Sequence, residues 1–425
     1  MTTTGKVFAF ATAALYLIAV VNDRELSYLM CWATLSVLIA SALLSRLSLS
    51  GVEVTLQDCP SRGFEGRSVP VALRFRNRGS LNKTNLVLRL SVANETQGSA
   101  ADTQWHLPCL EAGEEVDEVL LLRDLRRGVV SIGSARLTAG DPLGLFRCRR
   151  PVPLSHQLVV YPRRVALPEA ALFGAGRGDR SAVRESPTGS GDSEFHAVRQ
   201  FVDGDDLRRV HWPTTARTGR LAIKEFEGAA RLEAVLLVDL WREQTDRPGG
   251  LEAFEDSLRV AASLAQGVLK RGGVLRVHLS SDRAVHLPPD RGERQLVRLL
   301  EALARARADG PLPLDRVLLD LLRTLPQAGV VACVSSALPA GLPRAATALR
   351  ARQVGLSVAH VPPAAQDPTQ SSGPEAEITR ALRGLGVTVQ PVGLEHPSLP
   401  TDGDGAAESA WDAWPARRAA RSLTT

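Results

Sequence analysis

The sequence predicts a multidomain chain: an N-terminal transmembrane helical hairpin, then a β-sandwich, then an α/β domain of Rossmann-like alternation. Three observations predict it. Residues 7–21 and 27–44 are apolar runs separated by Asn22, Asp23, Arg24 and Glu25. From about residue 52 to residue 161, short stretches alternate apolar with polar residues, with Gly, Asn and Pro between them. From residue 232 onward, short apolar runs alternate with stretches whose apolar residues recur every three or four positions. The boundaries are 1–50 for the hairpin, 51–165 for the sandwich, 166–231 for a linker and a residue-dense segment, 232–396 for the α/β domain and 397–425 for a tail.

An α-helix rises about 1.5 Å per residue, so an 18-residue run spans roughly 27 Å, close to one hydrocarbon core. The second run follows the first at once, and no small-residue cleavage site precedes it, which argues against a cleaved leader. Lys6 flanks one outer end and Arg46 the other, whereas the turn sets Arg24 against Asp23 and Glu25. Positive flanks favour the cytoplasmic side, so everything after Ser50 is expected in the cytoplasm, at the cell membrane. The sequons at Asn82 and Asn94 are then accidents of sequence. A net charge of +5 over 425 residues is mild, and no Lys/Arg block occurs, so no nucleic-acid partner is expected. The five cysteines are widely spaced with no C-x-x-C pair, which argues against a zinc site or a dithiol redox motif.

In the second region VEVTL, VPVALRF and NLVLRLSV read as half-buried strands, and RNRGS and EAGEE as turns. VVSIG, ARLTAGDPLGLF and HQLVVYP continue the rhythm. This spacing suits a sandwich of immunoglobulin or fibronectin type, without a Cys-Trp-Cys framework. DPLGLF, which begins at Asp141, reads as a turn with apolar anchors. Residues 167–191 are a Gly-, Arg- and Ser-rich connector.

In the third region AVLLVDL, GVLRVHLSS, GVVACVSS, GLSVAHV and GVTVQPV read as strands. Residues 251–271, 291–307, 314–324, 344–352 and 375–383 read as helices. Repeated strand–helix units predict a parallel sheet with both faces covered. The tail after Pro397 has the composition of a disordered segment.

An open α/β sheet binds ligands beyond the carboxyl ends of its strands, and Asp239 ends the first of them. In von Willebrand factor A domains that position opens a metal site reading Asp-x-Ser-x-Ser. Here Trp241 and Glu243 stand where the hydroxyls would be, and the loop Ser335-Ser336-Ala337 lacks the later Asp. A hard divalent cation wants several oxygen ligands, so the position is degenerate and neither metal nor other cofactor is expected.

Acid, base, His, Trp and Gly are densest in GDSEFHAVRQFVDGDDLRRVHWPTTARTGRLAIKEFE, residues 191–227. Phe195, Val198, Phe201 and Val202 are spaced by three and four, which predicts a short helix that also carries Arg199. Residues 203–206 then turn, with Gly204 as the permissive position and Asp205 or Asp206 capping the next helical turn. Arg208, His211 and Trp212 lead into that turn, which runs through TTAR. Arg208 and Arg217 with Asp205 and Asp206 suit an ion-pair network that ties the segment to the sheet, and an exposed Trp with Arg equally suits a recognition surface. A metal set of His196, Asp205, Asp206 and His211 matches no ligand template. His211 as a general base lacks a paired Ser or Cys and has only Thr214 and Thr215 nearby.

Glu194, Phe195, Arg199, Gly204, Asp205, Asp206, Arg208, His211, Trp212, Ala216, Arg217, Gly219, Leu221, Lys224, Glu225 and Phe226 together resemble the signature of a bacterial membrane-anchored family, domain of unknown function 58. Pro213-Thr214-Thr215 departs slightly from the usual version, in which a Ser precedes Ala-Arg. The resemblance extends to the whole organisation of the chain. It implies a degenerate von Willebrand factor A-like fold and a non-enzymatic adaptor or assembly factor acting with a MoxR-type AAA+ ATPase. A transglutaminase-like membrane protein is implied as a further partner. No G-x-x-x-x-G-K-[ST] loop occurs, so ATP use belongs to the partner. The competing readings are a metal-dependent von Willebrand factor A-type binding module, a cell-envelope hydrolase using His211 with Asp205 or Asp206, and an extracytoplasmic protein of opposite topology.

Overall fold

The computed structural model describes residues 1–22, 25–141, 143–167, 194–200, 210–227, 233–325, 330–363 and 373–394. The connector expected at 167–191 and the tail expected after Pro397 fall almost wholly outside these residues.

Two helices lead the chain, α1 (Thr3–Asn22) and α2 (Glu25–Leu47). Both are long and apolar enough to cross a membrane, and most of each is not covered by the rest of the protein. They pack together, with Cys31 Sγ 3.9 Å from the Thr12 carbonyl. The open end of this hairpin is built into the next region. Lys83 is buried, and its Nζ donates to the Leu47 carbonyl at 2.6 Å, capping the last turn of α2. Arg150 Nη1 donates to the Leu49 carbonyl at 3.3 Å. The Ser41 hydroxyl donates to the Asp141 carboxylate. Gly5 lies so close to the turn at 143–146 that a Cβ there would stand 2.1 Å from the Leu145 carbonyl oxygen.

Nine strands follow: β1 (Val52–Asp58), β2 (Arg62–Phe64), β3 (Val69–Asn77), β4 (Lys83–Asn94), β5 (Ser99–Leu110), β6 (Glu115–Leu122), β7 (Gly128–Gly140), β8 (Arg147–Val152) and β9 (His156–Tyr161). They make two sheets, β1-β3-β6 and β2-β9-β7-β4-β5, with β8 added on β7. Alternation drives the packing. In β4, Leu86, Leu88, Leu90 and Val92 are buried while Arg89 is exposed, and both sheets contribute to one apolar core. The amide of Asn94 is buried and donates to the carbonyls of Arg126 and Arg127, so this sequon is a structural position.

Three elements come next, β10 (Glu194–Gln200), α3 (Trp212–Thr218) and β11 (Ala222–Glu227). Beyond them lie β12 (Glu233–Val238), α4 (Gly250–Lys270), β13 (Val274–Leu279), β14 (Val285–Asp290), α5 (Gly292–Arg305), α6 (Leu314–Leu321), β15 (Val330–Ser335), α7 (Leu342–Ala351), β16 (Gly355–His360), α8 (Pro374–Gly384) and β17 (Thr388–Pro391). The sheet order is β14-β13-β12-β15-β16-β17. β12, β13, β15, β16 and β17 are parallel, as expected, but β14 runs antiparallel to β13. The segment 280–284 is too short for a crossover, so the chain turns straight back, and Pro288 and Pro289 are tolerated because β14 is an edge. β12 is buried on both faces. Ala234 and Leu236 meet Leu264, Ala265 and Val268 of α4, while Val235 and Leu237 join the cluster that contains Leu314 of α6 and Leu342 of α7.

Charged groups join the β region to the α/β region. Arg127 is 1% exposed. Its Nε and Nη2 each donate to Glu255 at 2.8 Å, and its Nη1 donates to the carbonyls of Leu303, Ala304 and Ala306 at 2.6, 3.1 and 2.9 Å. A cation is thereby seated at the C-terminal end of α5, where the helix dipole favours it. Arg259 of α4 donates to both oxygens of Glu65 at 3.0 and 2.6 Å, and to Asp256. Burial raises the Glu65 carboxyl, but the Arg259 guanidinium outweighs it and holds the group below its ordinary value.

Candidate functional site

The segment around residues 194–227 is not two helices. β10 pairs antiparallel with β11, so the helix expected over Phe195 and Val198 is a strand. The register shifts between Phe195 and Ala197, the mark of a bulge. An inserted residue turns a spacing of two into one of three, which imitates helical periodicity in the sequence. Glu194, Phe195 and Arg199 therefore lie on β10, and Lys224 and Glu225 on β11, with Val198 opposite Lys224 and Ala197 opposite Glu225. Phe201, Val202, Gly204, Asp205, Asp206 and Arg208 lie outside the described residues, and with them the expected turn and ion-pair network.

The second expected helix is present as α3. Its N-cap is His211, and the capping expected of Asp205 or Asp206 lies outside the described residues. His211 Nδ1 accepts from the Thr214 N–H at 3.3 Å and lies 2.8 Å from the Thr214 hydroxyl. That makes Nδ1 an acceptor and puts the ring proton on Nε2. Pro213 needs no N–H partner in the first turn, and Gly219 closes the helix in the left-handed region at φ 67°. Ala222 then staples helix to strand: its carbonyl accepts from the His211 N–H at 2.8 Å, and its N–H donates to the Thr215 hydroxyl at 3.1 Å. The result is a short helix fixed at both ends that holds Trp212 67% exposed, with Ala216 and Arg217 also exposed. The Thr214–His211 contact has the length of a nucleophile–base pair, but the same nitrogen also serves the helix cap.

A second polar cluster sits at the carboxyl ends of β12, β15 and β16, where the strand order reverses between β12 and β15. Asp239 is 1% exposed. One of its oxygens accepts from the Ser335 hydroxyl at 2.6 Å and the other from the Trp241 N–H at 3.0 Å. Burial pushes the Asp239 carboxyl up to about 6 against these donors, and the charge of Asp315 adds to the rise. Ser335 Oγ is also 2.7 Å from the Ala337 carbonyl, so a protonated Asp239 can donate to Ser335 while Ser335 donates onward. Gln244 completes the lining: its Nε2 donates to the Asp239 carbonyl at 3.1 Å and its Oε1 accepts from the Ser336 hydroxyl at 2.7 Å. Glu243, at the degenerate motif position, is exposed on a turn of 3₁₀-helix.

His360 closes β16, 8% exposed, with Nε2 3.8 Å from Glu375, and Glu375 accepts from Arg247 at 3.0 Å. Burial holds the His360 imidazole below its ordinary value. The donors fit a divalent cation poorly, because Asp239 is closed off by Ser335 and Trp241. Among the described residues no group of three or more His, Cys, Asp or Glu is arranged to hold a metal. Gln244, His360, Glu375 and Arg247 were missed in the sequence; a polar residue closing an apolar strand, as His360 closes GLSVAH, was the available signal.

Fold and site together define a chain with two potential membrane helices, a two-sheet β region and a mixed α/β sheet introduced by a capped strand–helix–strand segment. Residues 197–369 match the family described as Protein of unknown function DUF58, the family that the signature residues resemble. The chain is also 28% identical over 200 residues to Uncharacterized protein YeaD of Bacillus subtilis (strain 168), covering 45% of this chain and 46% of that one. It thus spans about half the length of that curated relative. Among solved structures, a β-glucosidase from Listeria innocua is similar over 27% of this chain and 16% of that chain, at 12% identity and a TM-score of 0.20. The CARDB domain of a Pyrococcus furiosus protein in complex with di-metal ions is similar over 26% of this chain and 84% of that chain, at 12% identity and a TM-score of 0.18. Scores this low define no shared fold.

Proposed function

We propose that this protein is a membrane-anchored, non-enzymatic adaptor that recruits a MoxR-type AAA+ ATPase to the cytoplasmic face of the cell membrane. The observation that carries the reading is Trp212, 67% exposed on a helix pinned by His211 at one end and Gly219 at the other. A large aromatic held in solvent on a rigid mount, with an exposed Arg217 on the same helix, has the composition of an interface hot spot. On this reading the two sheets between β1 and β9 are an immunoglobulin- or fibronectin-like sandwich. The α/β sheet is a von Willebrand factor A-like domain in which the Asp239–Ser335 bond has replaced a metal. Both outer ends of the hairpin face the cytoplasm, and a transglutaminase-like membrane protein is a further candidate partner.

Affinity purification of the membrane-extracted chain under nucleotide-trapping conditions tests this, with Trp212→Ala and Arg217→Ala alongside. An AAA+ ATPase is expected with the wild type and is expected to disappear from variants that melt at the same temperature. Equal capture by wild type and variants would remove α3 as the docking surface, and absence of any ATPase would remove the adaptor reading.

A further inference from the structure

The loop after β7 lies against both apolar helices. Ser41, which bonds Asp141, stands six residues before the end of α2. Just before α1 the Thr2 hydroxyl donates to the Gly144 carbonyl at 2.7 Å and the Thr2 N–H to the Leu145 carbonyl at 3.0 Å, ahead of Lys6, where the apolar run begins. These contacts hold the loop beside the last turns of α2 and the start of α1. The shape of the loop is set from within, since the Asp141 carboxylate accepts from the Leu143 N–H at 3.1 Å and the Phe146 N–H at 2.6 Å. Asp141 is 6% exposed, so its charge is satisfied inside the protein.

Leu143 beside it is 60% exposed. Strand β8 then leaves the loop alongside α2, tied there by Arg150, and its alternation turns Arg147 and Arg149 outward. Lys6 and Arg46 are exposed at the same end of the hairpin. An exposed apolar side chain followed along the chain by exposed cations, beside the end of a hairpin that changes there from apolar to polar, is the arrangement of an interfacial membrane segment. Anionic lipid attracts such cations within a Debye length of the surface, and the guanidinium fork matches phosphate oxygens.

We propose that Leu143 with Lys6, Arg46, Arg147 and Arg149 forms an interfacial site for anionic phospholipid headgroups, the leucine entering the apolar boundary and the cations meeting phosphate. The site orients the β region on the bilayer and does not depend on any partner of α3. It rests on the two helices being a membrane anchor.

The full chain reconstituted in phosphatidylcholine vesicles, with and without phosphatidylglycerol, tests it. In a Cys59→Ser, Cys109→Ser, Cys148→Ser background, an environment-sensitive fluorophore is attached at Leu143→Cys. The control is the same fluorophore at Ser99→Cys, on the β4–β5 side whose Gln97 bonds Glu255 of α4. Quenching by brominated acyl chains is expected to be roughly twofold stronger at 143 than at 99. It is also expected to be stronger with phosphatidylglycerol, and Arg147→Ser with Arg149→Ser is expected to remove that gain. A chain that does not float with the vesicles would overturn the anchor and the site together. A chain that floats, but whose probe at 143 is quenched no more than the probe at 99, overturns the site alone. Capture of a soluble acidic protein through the same arginines, without quenching at 143, also overturns it.

Discussion

Arg127 brings a full positive charge into a place where water does not reach, and its guanidinium bonds go to groups of the α/β region. Removing it would leave Glu255 without its cation and three helix-end carbonyls without their donor. Arg127→Ala is therefore expected to cost about 3–5 kcal/mol, read from denaturant unfolding of the detergent-solubilised chain. Arg127→Lys is expected to recover only part of that, because an ammonium cannot serve Glu255 and the carbonyls at once. Asp239 works in the opposite sense. Its folded value of about 6 lies above the ordinary 3.8, so between those values the folded state holds more protons than the unfolded state and stability falls as pH rises. A rise of about two units corresponds to about 3 kcal/mol. Asp239→Asn is expected to gain on wild type by up to that amount as the buffer goes from about pH 4 to about pH 7. A difference that stays flat across this range would contradict the buried, strained carboxyl.

At the scale of elements, α3 depends on a cap that no sequence rule proposes readily. His211→Ala is expected to loosen the helix by about 1 kcal/mol, speeding amide exchange over residues 214–219 several-fold while the global melting temperature stays put. The strands and helices with clean periods were legible: the alternation in β4, the apolar runs of β12 and β15, and the three-and-four spacing of α4 all match their elements. The illegible parts had physical causes. The bulge in β10 shifts its phase and makes a strand look helical. β5 is too polar to stand out and is a strand because β4 pairs with it along its length. β14 contains two prolines and is held by one neighbour. Gln244 occupies the position facing Asp239 because the chain turns through a 3₁₀-helix there, which spacing from Asp239 does not reveal.

At the scale of the whole molecule, two sets of contacts join the hairpin, the β region and the α/β region. Lys83, Arg150 and Asp141 tie the β region to the hairpin, and Arg127 and Arg259 tie it to the α/β region. In the sequence Asp141 marks only the start of a turn and the other four carry no assigned role, because a buried polar contact between distant segments leaves no local pattern. On the proposed reading the docking surface is α3. The most direct measurement places a photocrosslinking amino acid at position 212 of the full chain and irradiates native membranes under nucleotide-trapping conditions. One dominant adduct is expected, a AAA+ ATPase, with loss of that adduct when Arg217→Ala is combined with the probe. Adducts only to lipid or to the chain itself would contradict a docking role for α3.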